Sequence, residues 1–474
     1  MRKQHKIDGI FFVSFALLVL TDRLWWFVQT YVLSDFGQFR LMSIYTAIES
    51  LTLMIFTGYG GAWLDRHCKI YSVKVLLSIV VMLSIFSHMA INSAYRFKHE
   101  NKVNDISNNC YLSLLISIIT TSSASFFYNL LRLFLTKDWV VILSEEFERK
   151  KFNINTLTSQ SYENNQRLTY YNTVSALIYQ ISFIIEPIIT GFIMNYLNYQ
   201  MAATVFCIFN TCMWIIIYFL LNYIYINIEK LKRIKITSHE NEKLKNTCES
   251  NIDENKNNEQ WKNESSIKVI KFLKHRVAYV AIALSLTYMN ILQLSGISIT
   301  YITFNNVSEK TLNAFRCIGS VFALIGTSLY PLFNKYLGLK KTGLIGFLMQ
   351  QAFLVPSFIS IFLPGSMFKY NIFSSNSFDI NYSIYTFIIG ITLSRFGLFI
   401  ADAAVNQQMQ HMIEEENRSE LFGIHTSLSY TCTLFSAGLL FLFPDPRDFG
   451  FFIILSVVEL FCALIFYVMH LYKI

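Results

Sequence analysis

Four acidic residues lie inside apolar segments that are long enough to cross a lipid bilayer: Asp22, in LTDRLWWFVQ, Glu49, Glu186 and Glu459. An ionised side chain at the bilayer centre costs about 2.5–3.5 kcal/mol even on the most lenient scale. Such a group therefore usually faces a water-filled cavity, a partner or a transported ion. The alternative is that each acid packs between helices, protonated or hydrogen-bonded.

Two of these acids have a neighbour that bears on their role. Arg23 follows Asp22, so Asp22 either faces a transport cavity or forms a structural ion pair with Arg23. Pro187 follows Glu186. Because proline removes a helix hydrogen bond, free carbonyl groups are expected near Glu186.

The composition is typical of a membrane protein. Of 474 residues, 53% are hydrophobic and only 15% are charged, whereas soluble domains carry about 25% charged residues. The net charge of +8 lies mainly in short loops, which favours membrane topology over nucleic-acid binding. The sequence has no nucleophile–base arrangement, no phosphate loop and no zinc spacing among its eight cysteines. We therefore expect no enzyme activity, no cofactor and no structural metal.

Hydropathy predicts twelve spans of roughly 20 or more residues. The six before the middle are 9–33, 41–64, 70–95, 110–144, 166–197 and 200–228, and the six after it are 275–303, 312–337, 339–363, 383–412, 418–443 and 447–472. The segment between them is rich in Lys, Glu and Asn, which predicts a disordered linker. We therefore predict an all-α polytopic membrane protein with an N-terminal six-helix bundle (1–228), a cytosolic linker (229–268) and a C-terminal six-helix bundle (269–474).

Basic residues are unevenly distributed between the two sets of loops. One side holds the basic residues at the N-terminus, after the second and fourth spans, in the linker, and at Lys340 and Lys341. The positive-inside rule places this side, with both termini and the linker, in the cytosol. We expect a monomeric multi-pass protein in the lipid bilayer of the plasma membrane or an endomembrane, with no nucleic-acid partner.

Six spans, a linker and six spans is the layout of the major facilitator superfamily, whose halves rock around a midplane site. The loop GAWLDRHCK resembles that superfamily's G-x-x-x-D-R-x-x-R/K motif at Gly61, Asp65, Arg66 and Lys69. The resemblance implies that two helices approach closely at the glycine. It also implies that the acid and the base of the motif form charge interactions that close the cytosolic side. The alternative is an ordinary turn with positive-inside charges.

Seven stretches, in order along the chain, together resemble the ferroportin family of iron(II) exporters. In the first half they are LTDRLWWF, WLDR, KDWVVILSEE and EPIITGFIMNY. In the second half they are TYMNIL, SRFGLFIAD and FPDPRDFG. The linker and the loop at 364–382 are not covered. The resemblance implies a transporter with a divalent metal ion, iron(II), as its substrate.

The resemblance also marks the positions where that family binds metal, and three of four carry other residues here. Helix one keeps an aspartate, Asp22, but has Trp26 in place of a histidine. In the second half, Gly296 stands in place of a cysteine and Ser436 in place of a histidine. Imidazole and thiolate suit borderline transition metals, so their loss weakens the case for iron selectivity but not for cation binding.

Other family positions are kept. Asn210 matches an asparagine of the family's helix-six calcium site, and Gln180 matches a helix-five glutamine. We predict a carboxylate-rich cation site whose cavity also includes Tyr45, one turn before Glu49. Its predicted ligands are Asp22, Glu49, Glu186 and Asn210.

Two further sets of candidates remain, a soft ligand in the second half and the residues of the gates. Cys432 lies one turn before Ser436 on the same helix face and is a candidate for the missing soft ligand. The alternative is a buried apolar cysteine. The predicted gate residues are Asp65 and Arg66, Asp138, which matches a family gate aspartate, and Arg395 with Asp402, which match a family pair two turns apart.

These residues are consistent with three functions. The first is secondary transport of a divalent metal cation, by resemblance iron(II) export, by alternating access. The second is transport of a different substrate on the same fold, for example an organic solute among Trp25, Trp26 and Phe27. The third is a non-transporting membrane scaffold or receptor. Carboxylates that converge on one cavity in the first half would favour metal transport. A cavity lined mainly by aromatic side chains (an aromatic sleeve) would favour an organic solute, and an interior without a cavity would favour the scaffold or receptor.

Overall fold

The computed structural model of the chain describes residues 2–100, 108–151, 157–232, 275–290, 309–363, 382–442 and 449–472, with a few isolated positions between them. Every regular element in these ranges is a helix. Eight of the helices are long and apolar enough to cross a membrane. The all-helical fold is therefore confirmed, while the count of twelve spans and the two-bundle arrangement stay predictions.

The helices lie close to the predicted spans. In the first half they are α1 (Arg2–Arg66), α2 (Lys69–Glu100), α3 (Asn108–Leu133), α4 (Val140–Lys151), α5 (Leu157–Tyr196), α6 (Tyr199–Asn227) and α7 (Glu229–Lys232). In the second half they are α8 (Val277–Met289), α9 (Glu309–Leu337), α10 (Leu339–Ile359), α11 (Tyr382–Met412), α12 (Arg418–Leu442) and α13 (Phe449–Tyr472). A π-helical segment, Phe134–Trp139, joins α3 to α4.

The helical run α1 covers two predicted spans, 9–33 and 41–64. A straight helix of its 65 residues would extend about 97 Å, three times the thickness of a bilayer core of about 30 Å. However, the Trp26 indole N–H donates to the Glu49 carboxylate, although the two residues would lie about 35 Å apart on a straight helix. The run therefore turns back on itself between them. This is the reversal that two consecutive antiparallel spans, 9–33 and 41–64, require.

Contacts between helices divide the chain into two units. The first unit comprises Met1–Asn164, Ile185–His275 and Ile413–Ser427, and the second comprises Asn165–Ile184, Arg276–Met412 and Leu428–Ile474. Each unit thus includes a short segment from the other half of the sequence. The predicted division into 1–228 and 269–474 follows the order of the helices along the chain and stays a prediction.

In the first unit, α3 and α6 each pack against both α1 and α2. The buried side chains of this contact form one apolar cluster, which includes Leu24, Val28, Ile91, Leu114 and Phe206. Burying one such side chain contributes about 1.5–3 kcal/mol. The cluster therefore holds these four helices in a defined arrangement around any site between them.

In the second unit, α11 packs against α9 and α10, and α13 packs against α8 and α10. The rings of Tyr301 and Phe449 stack with their centroids 4.3 Å apart. At Gly397 the backbones of α10 and α11 approach closely, because a Cβ atom there would lie 2.3 Å from the backbone nitrogen of Gln350. Small residues at such positions allow close helix packing in membranes.

The first four residues of the predicted disordered linker are ordered. They form α7, in which Leu231 is buried, and Lys230 Nζ lies 2.8 Å from Glu145 Oε2 on α4. The prediction of disorder is wrong for this turn because Leu231 buries an apolar side chain against the helices. The rest of the predicted linker lies outside the described residues.

Candidate functional site

A small cavity lies between α1, α2, α3 and α6 in the first unit. Its polar wall consists of Asp22, Tyr45, Ser84, Thr121, Ser125 and Asn210. Its apolar wall includes Trp25, Trp26 and Trp214. The enclosed space is small, roughly the size of one water molecule or one bare ion. Its walls combine polar and aromatic side chains, so it is not a purely aromatic sleeve.

Asp22 and Asn210 face this cavity from different helices. Asn210 is only 2% exposed, and its Oδ1 atom has no hydrogen-bond partner in the described part of the chain. A buried acceptor that is left unpaired costs about 1–3 kcal/mol. This oxygen is therefore suited to bind a water molecule or a cation in the cavity. A carboxylate and an amide oxygen form a ligand set for hard divalent cations.

Glu49 lies beside the cavity and is held by two donors. The Ser125 hydroxyl and the Trp26 indole N–H both donate to its carboxylate. Glu49 and Asp22 are close enough to interact electrostatically. The structure therefore brings together three of the four predicted ligands, Asp22, Glu49 and Asn210, and their role in cation binding stays a prediction.

Two arginines offset the charge of these acids. Arg23 and Arg132 both act electrostatically on Asp22, and Arg132 Nη2 lies 2.9 Å from Asn129 Oδ1. Asp22 thus faces the cavity and also lies in the field of Arg23. The structural ion pair between the two residues stays a prediction. A cation at Asp22 would bind in a region where the negative charges of two acids are already offset by two arginines.

The other residues predicted for this site lie in different surroundings. Glu186 on α5 is 4% exposed and does not belong to the cavity lining. Gln180 is buried and belongs to the second unit. Tyr45 lines the cavity, and its hydroxyl has no hydrogen-bond partner in the described ranges. No three His, Cys, Asp or Glu side chains come together among the described residues. A cation at Asp22 would therefore need amide and water oxygens as well as carboxylates.

The positions predicted for the second half are only partly described. Gly296 lies outside the described residues. Ser436 is buried, and its hydroxyl donates to the Thr433 carbonyl oxygen 2.8 Å away on the same helix. Cys432, one turn earlier on α12, carries a free thiol and is half-buried. Of these positions, Cys432 is therefore the one whose side chain has the chemistry of a soft ligand.

Asp138 is the centre of a buried charge cluster in the first unit. Its Oδ2 atom lies 2.6 Å from Lys69 Nζ, and its Oδ1 atom lies 3.7 Å from Arg418 Nη1. Lys69 Nζ also lies 3.6 Å from Glu415 Oε1. The predicted gate aspartate thus contacts the lysine of the loop motif. Sequence reasoning missed Arg418 and Glu415, whose only signal is the run of charges in EEENRSE at the start of α12.

The π-helical segment that carries Asp138 was not predicted. The backbone N–H of Val140 donates to the carbonyl oxygen of Leu135, five residues earlier. Such turns inside helices occur frequently at functional sites. Asp138 and Trp139 are both fully buried. The letters LTKDWV contain no glycine or proline that would mark this turn.

Asp65 lies near the end of α1 and faces the first turn of α12. Its carboxylate accepts hydrogen bonds from the backbone N–H groups of Glu420, at 2.7 Å, and Ser419, at 3.3 Å. A carboxylate at a helix N-terminus is stabilised by the unpaired N–H groups and by the helix dipole. Arg66 is exposed. The acid of the motif therefore caps a distant helix, which the sequence did not predict, and the gate role of both residues stays a prediction.

Gly61 makes this contact possible, as the motif predicts. A Cβ atom at Gly61 would lie 2.2 Å from the carbonyl oxygen of Ser419, whereas a Cβ at Gly9 would meet nothing within 4 Å. We expect G61A to destabilise the purified protein by about 1–3 kcal/mol through overpacking. G9A on the same helical run is the control and should not lower the thermal unfolding temperature. Equal unfolding temperatures for the two variants would contradict the close approach.

The pair Arg395 and Asp402 on α11 is half-buried. The Asn406 side chain donates to Asp402 Oδ1 at 3.1 Å, and Arg316 acts electrostatically on Arg395. The proposed gate role of this pair stays a prediction.

A neutral hydrogen-bond network in the second unit was also missed. The Tyr330 hydroxyl donates to Gln407 Oε1 at 2.5 Å, and the Thr169 hydroxyl donates to the same atom at 3.0 Å. Asn172 Nδ2 lies 2.6 Å from Gln410 Oε1. These bonds join α5 and α9 to α11. The glutamines in VNQQMQHM, inside an apolar helix, were the signal that could have revealed this network.

Comparison with known proteins gives one consistent family. The sequence profile of the Ferroportin1 family matches residues 6–460. The chain is 20% identical to ferroportin of Mus musculus, over 94% of its own length and 88% of that protein. It is 24% identical to solute carrier family 40 member 2 of Arabidopsis thaliana, over 71% of its own length and 65% of that protein. A crystal structure of a bacterial homologue of the iron transporter ferroportin, in the outward-facing state with soaked iron, matches with a TM-score of 0.77 at 18% identity, over 98% of each chain. At this identity the structural match establishes a shared fold.

Proposed function

Because this chain belongs to the Ferroportin1 family, whose profile matches it from residue 6 to residue 460, we propose that it is a secondary transporter of a divalent metal cation. By resemblance the cation is iron(II) and the direction is export. Alternating access would expose the site first to the cytosol and then to the outside. The relatives named as ferroportin and the bacterial iron transporter homologue support this proposal.

The cavity at Asp22 is the observation that carries the proposal. It presents the Asp22 carboxylate and the unpaired Asn210 oxygen on one wall, with Glu49 beside them. The enclosed space holds roughly one water-sized species, so a cation there would keep few of its bound waters. Serine and threonine hydroxyls complete a polar wall that can hydrogen-bond those waters.

The ligand types set an expected selectivity. Trp26 stands where the family resemblance implies an imidazole, so this site offers oxygen ligands. Oxygen ligands suit manganese, magnesium and calcium, and they discriminate weakly among first-row divalent ions. We therefore propose that the first-half site accepts manganese(II) and cobalt(II) as well as iron(II), with less preference for iron than a histidine-containing site would have.

Three tryptophans in the cavity wall support a second candidate, an organic cation as substrate. Trp25, Trp26 and Trp214 line the cavity, and tryptophan faces attract organic cations through cation–π interactions. The two candidates differ in the class of ion that displaces the substrate from the cavity. A metal bound by Asp22 is displaced by other divalent metals, whereas an organic cation on aromatic faces is displaced by quaternary ammonium ions.

One experiment tests the proposed function. The purified protein is reconstituted into proteoliposomes, and uptake and efflux of iron(II), manganese(II), cobalt(II), magnesium(II) and calcium(II) are measured, with tetraethylammonium as a competitor. We expect saturable flux of at least one transition metal that tetraethylammonium does not inhibit. Absence of flux for every metal would overturn the proposal, and inhibition of metal flux by tetraethylammonium would favour the second candidate.

We also propose that both termini and the linker are cytosolic, as the distribution of basic loops predicts, in a monomer of the plasma membrane or an endomembrane. A protease site inserted near Ser250 should be cut only after the cells are permeabilised. A matched site in the predicted outer loop, near Ser375, should be cut in intact cells if the protein is at the cell surface. Cleavage near Ser250 in intact cells would contradict the orientation.

A further inference from the structure

A chain of buried hydroxyl groups leads away from the cavity at Asp22. Thr121 lines this cavity, and its Oγ1 atom lies 2.7 Å from Ser87 Oγ on α2. Ser87 Oγ lies 3.0 Å from Ser117 Oγ on α3, and Ser117 Oγ accepts a hydrogen bond of 3.0 Å from Gln29 Nε2 on α1. All four side chains are fully buried. Three successive hydrogen bonds therefore connect the cavity wall to the Gln29 amide.

The Gln29 amide ends this chain with an unpaired acceptor. Its Oε1 atom has no hydrogen-bond partner in the described part of the chain. A half-turn of the amide would bring Oε1 to Ser117 and leave Nε2 unpaired instead, because the two ends of the amide have nearly the same shape. Each orientation thus leaves one end of the amide unpaired, so the two orientations are close in free energy. Gln29 is not among the described residues that line the cavity, and it can therefore act on a bound ion through the hydroxyl chain.

The orientation of the amide fixes the direction of every hydrogen bond in the chain. A hydroxyl carries one hydrogen, so a hydroxyl that accepts from one neighbour donates to the next. With Gln29 donating, Ser117 donates to Ser87, Ser87 donates to Thr121, and the Thr121 O–H is left for the cavity. The other described acceptor for Ser87, the Ser117 carbonyl oxygen, lies 3.5 Å away, which is long for a hydroxyl hydrogen bond. A turned amide reverses each bond, and Thr121 then presents only oxygen lone pairs to the cavity.

A cation and a water molecule need opposite orientations of the Thr121 hydroxyl. A cation binds oxygen lone pairs, whereas a water molecule or a carboxylate accepts from the O–H group. The enclosed space holds roughly one water-sized species. Oxygens of the cavity wall must therefore replace most of the waters that a hydrated ion brings, and Thr121 Oγ1 is such an oxygen.

We propose that Gln29 is a positioning residue for the cation site, which decides through Ser117 and Ser87 whether Thr121 donates to the cavity or binds the ion. In the empty cavity the amide donates, and Thr121 donates to water or to the Asp22 carboxylate. When a divalent cation binds, the amide turns, Ser117 donates to Oε1, and Thr121 becomes a neutral oxygen ligand. Each O–H bond rotates and none breaks, so the change involves no proton transfer. The inference rests on the proposed function, because it requires a cation in the cavity.

Hydroxyl groups also join helices in membranes without any part in ligand binding. The test therefore measures the coupling between Gln29 and Thr121, by cobalt(II) titration calorimetry of the purified full-length protein in detergent. Q29M keeps the length of the side chain but neither donates nor accepts. We expect it to weaken cobalt affinity about three- to tenfold, because the ion-bound orientation loses a hydrogen bond. T121V, which keeps the shape without the hydroxyl, should also weaken affinity, and Q29M should cause no further loss in the T121V background.

Variants along α2 and α3 make the test specific to the chain. S87A interrupts it, so Q29M should cause no further loss in the S87A background, and S117A replaces S87A if the latter is not monodisperse. T121S keeps the hydroxyl and should bind cobalt as the wild type does. The matched control is S123A on α3, whose hydroxyl donates to the Ile119 carbonyl oxygen at 2.8 Å. S123A should leave cobalt affinity unchanged.

The D22N variant separates this inference from the proposed function. If D22N abolishes cobalt binding but Q29M binds as the wild type does, the role of Gln29 is overturned and the cation site stands. If D22N leaves cobalt affinity unchanged, the cation site is overturned, and the inference with it. An equal loss on Q29M substitution with and without the Thr121 hydroxyl would also overturn the inference, because Gln29 would then act through packing alone.

Discussion

The D22N variant is expected to abolish metal transport while the protein remains folded at normal abundance. Asparagine keeps the size and hydrogen-bonding capacity of Asp22 but removes the charge that faces the cavity. A divalent cation would then lose a charged ligand at a position where water is scarce and charge is costly. Flux into proteoliposomes measures transport, and size-exclusion chromatography with thermal unfolding measures the folded state.

The matched control is D35N on the same helical run. Asp35 Oδ2 pairs with Lys98 Nζ at 2.8 Å, and both side chains are partly exposed. Exposed ion pairs contribute about 0–1 kcal/mol, so D35N should transport at the wild-type rate. Wild-type transport by D22N would contradict the assignment of Asp22 as a ligand. A similar loss of transport in both variants would show that the effect is not specific to the cavity.

A structural ion pair between Asp22 and Arg23 predicts a different result. Removing one member of a buried pair costs about 3–5 kcal/mol, so D22N would then lower the amount of folded protein. Neutralising Arg23 as well, in the double variant with R23Q, would restore folding. If Asp22 is a ligand instead, the double variant stays folded and remains inactive. The two interpretations are therefore separated by a measurement of folding and a measurement of flux on the same two proteins.

The pH dependence has a defined sign if Asp22 binds the ion. The carboxylate must be ionised to bind metal, and protons compete for it. Apparent metal affinity should therefore fall as the pH is lowered through the range in which Asp22 takes up a proton. D22N has no such competition at this position, so any residual cobalt binding by the variant should depend less on pH. An apparent affinity that rises as the pH falls would contradict carboxylate ligation.

The D138A variant is expected to lose about 3–5 kcal/mol of stability. Asp138 is fully buried and lies 2.6 Å from Lys69, which is 5% exposed. Removing the carboxylate leaves Lys69 and Arg418 buried in the same region with their main counter-charge gone. The measurement is thermal unfolding of the purified protein, together with the yield of folded protein from membranes.

A control variant and a double variant make this test specific. E145A breaks the partly exposed pair with Lys230, at 2.8 Å, and should change stability by no more than about 1 kcal/mol. Replacing Lys69 by methionine in the D138A background should recover part of the loss, because the uncompensated lysine charge is removed. If D138A is as stable as E145A, the cluster contributes little to the fold and its importance would have to be sought in transport alone.

Much of the fold was predictable because it depends on local composition. Runs of apolar residues specify where each helix lies, and the bounds of α6, α10 and α12 fall within a few residues of the predicted spans. Gly61 was predicted from the loop motif to allow close helix approach, and a Cβ atom at this position would meet the backbone of Ser419. The ligand candidates Asp22 and Glu49 stood out because an acid within an apolar span is costly wherever the helix lies.

The partners of these residues were decided by the tertiary structure. These partners depend on the rotation and register of helices that are distant in sequence. Asp65 caps α12, Asp138 pairs with Lys69 and Arg418, and Ser125 and Trp26 donate to Glu49. Apolar periodicity marks a buried face, but a rotation of one residue, about 100°, changes which polar group that face presents to a neighbour. The sequence alone determined the helices, the family and the acids whose burial is costly. Only the packing of the helices decided that Asp22 shares a cavity with Asn210 while Glu186 does not line it.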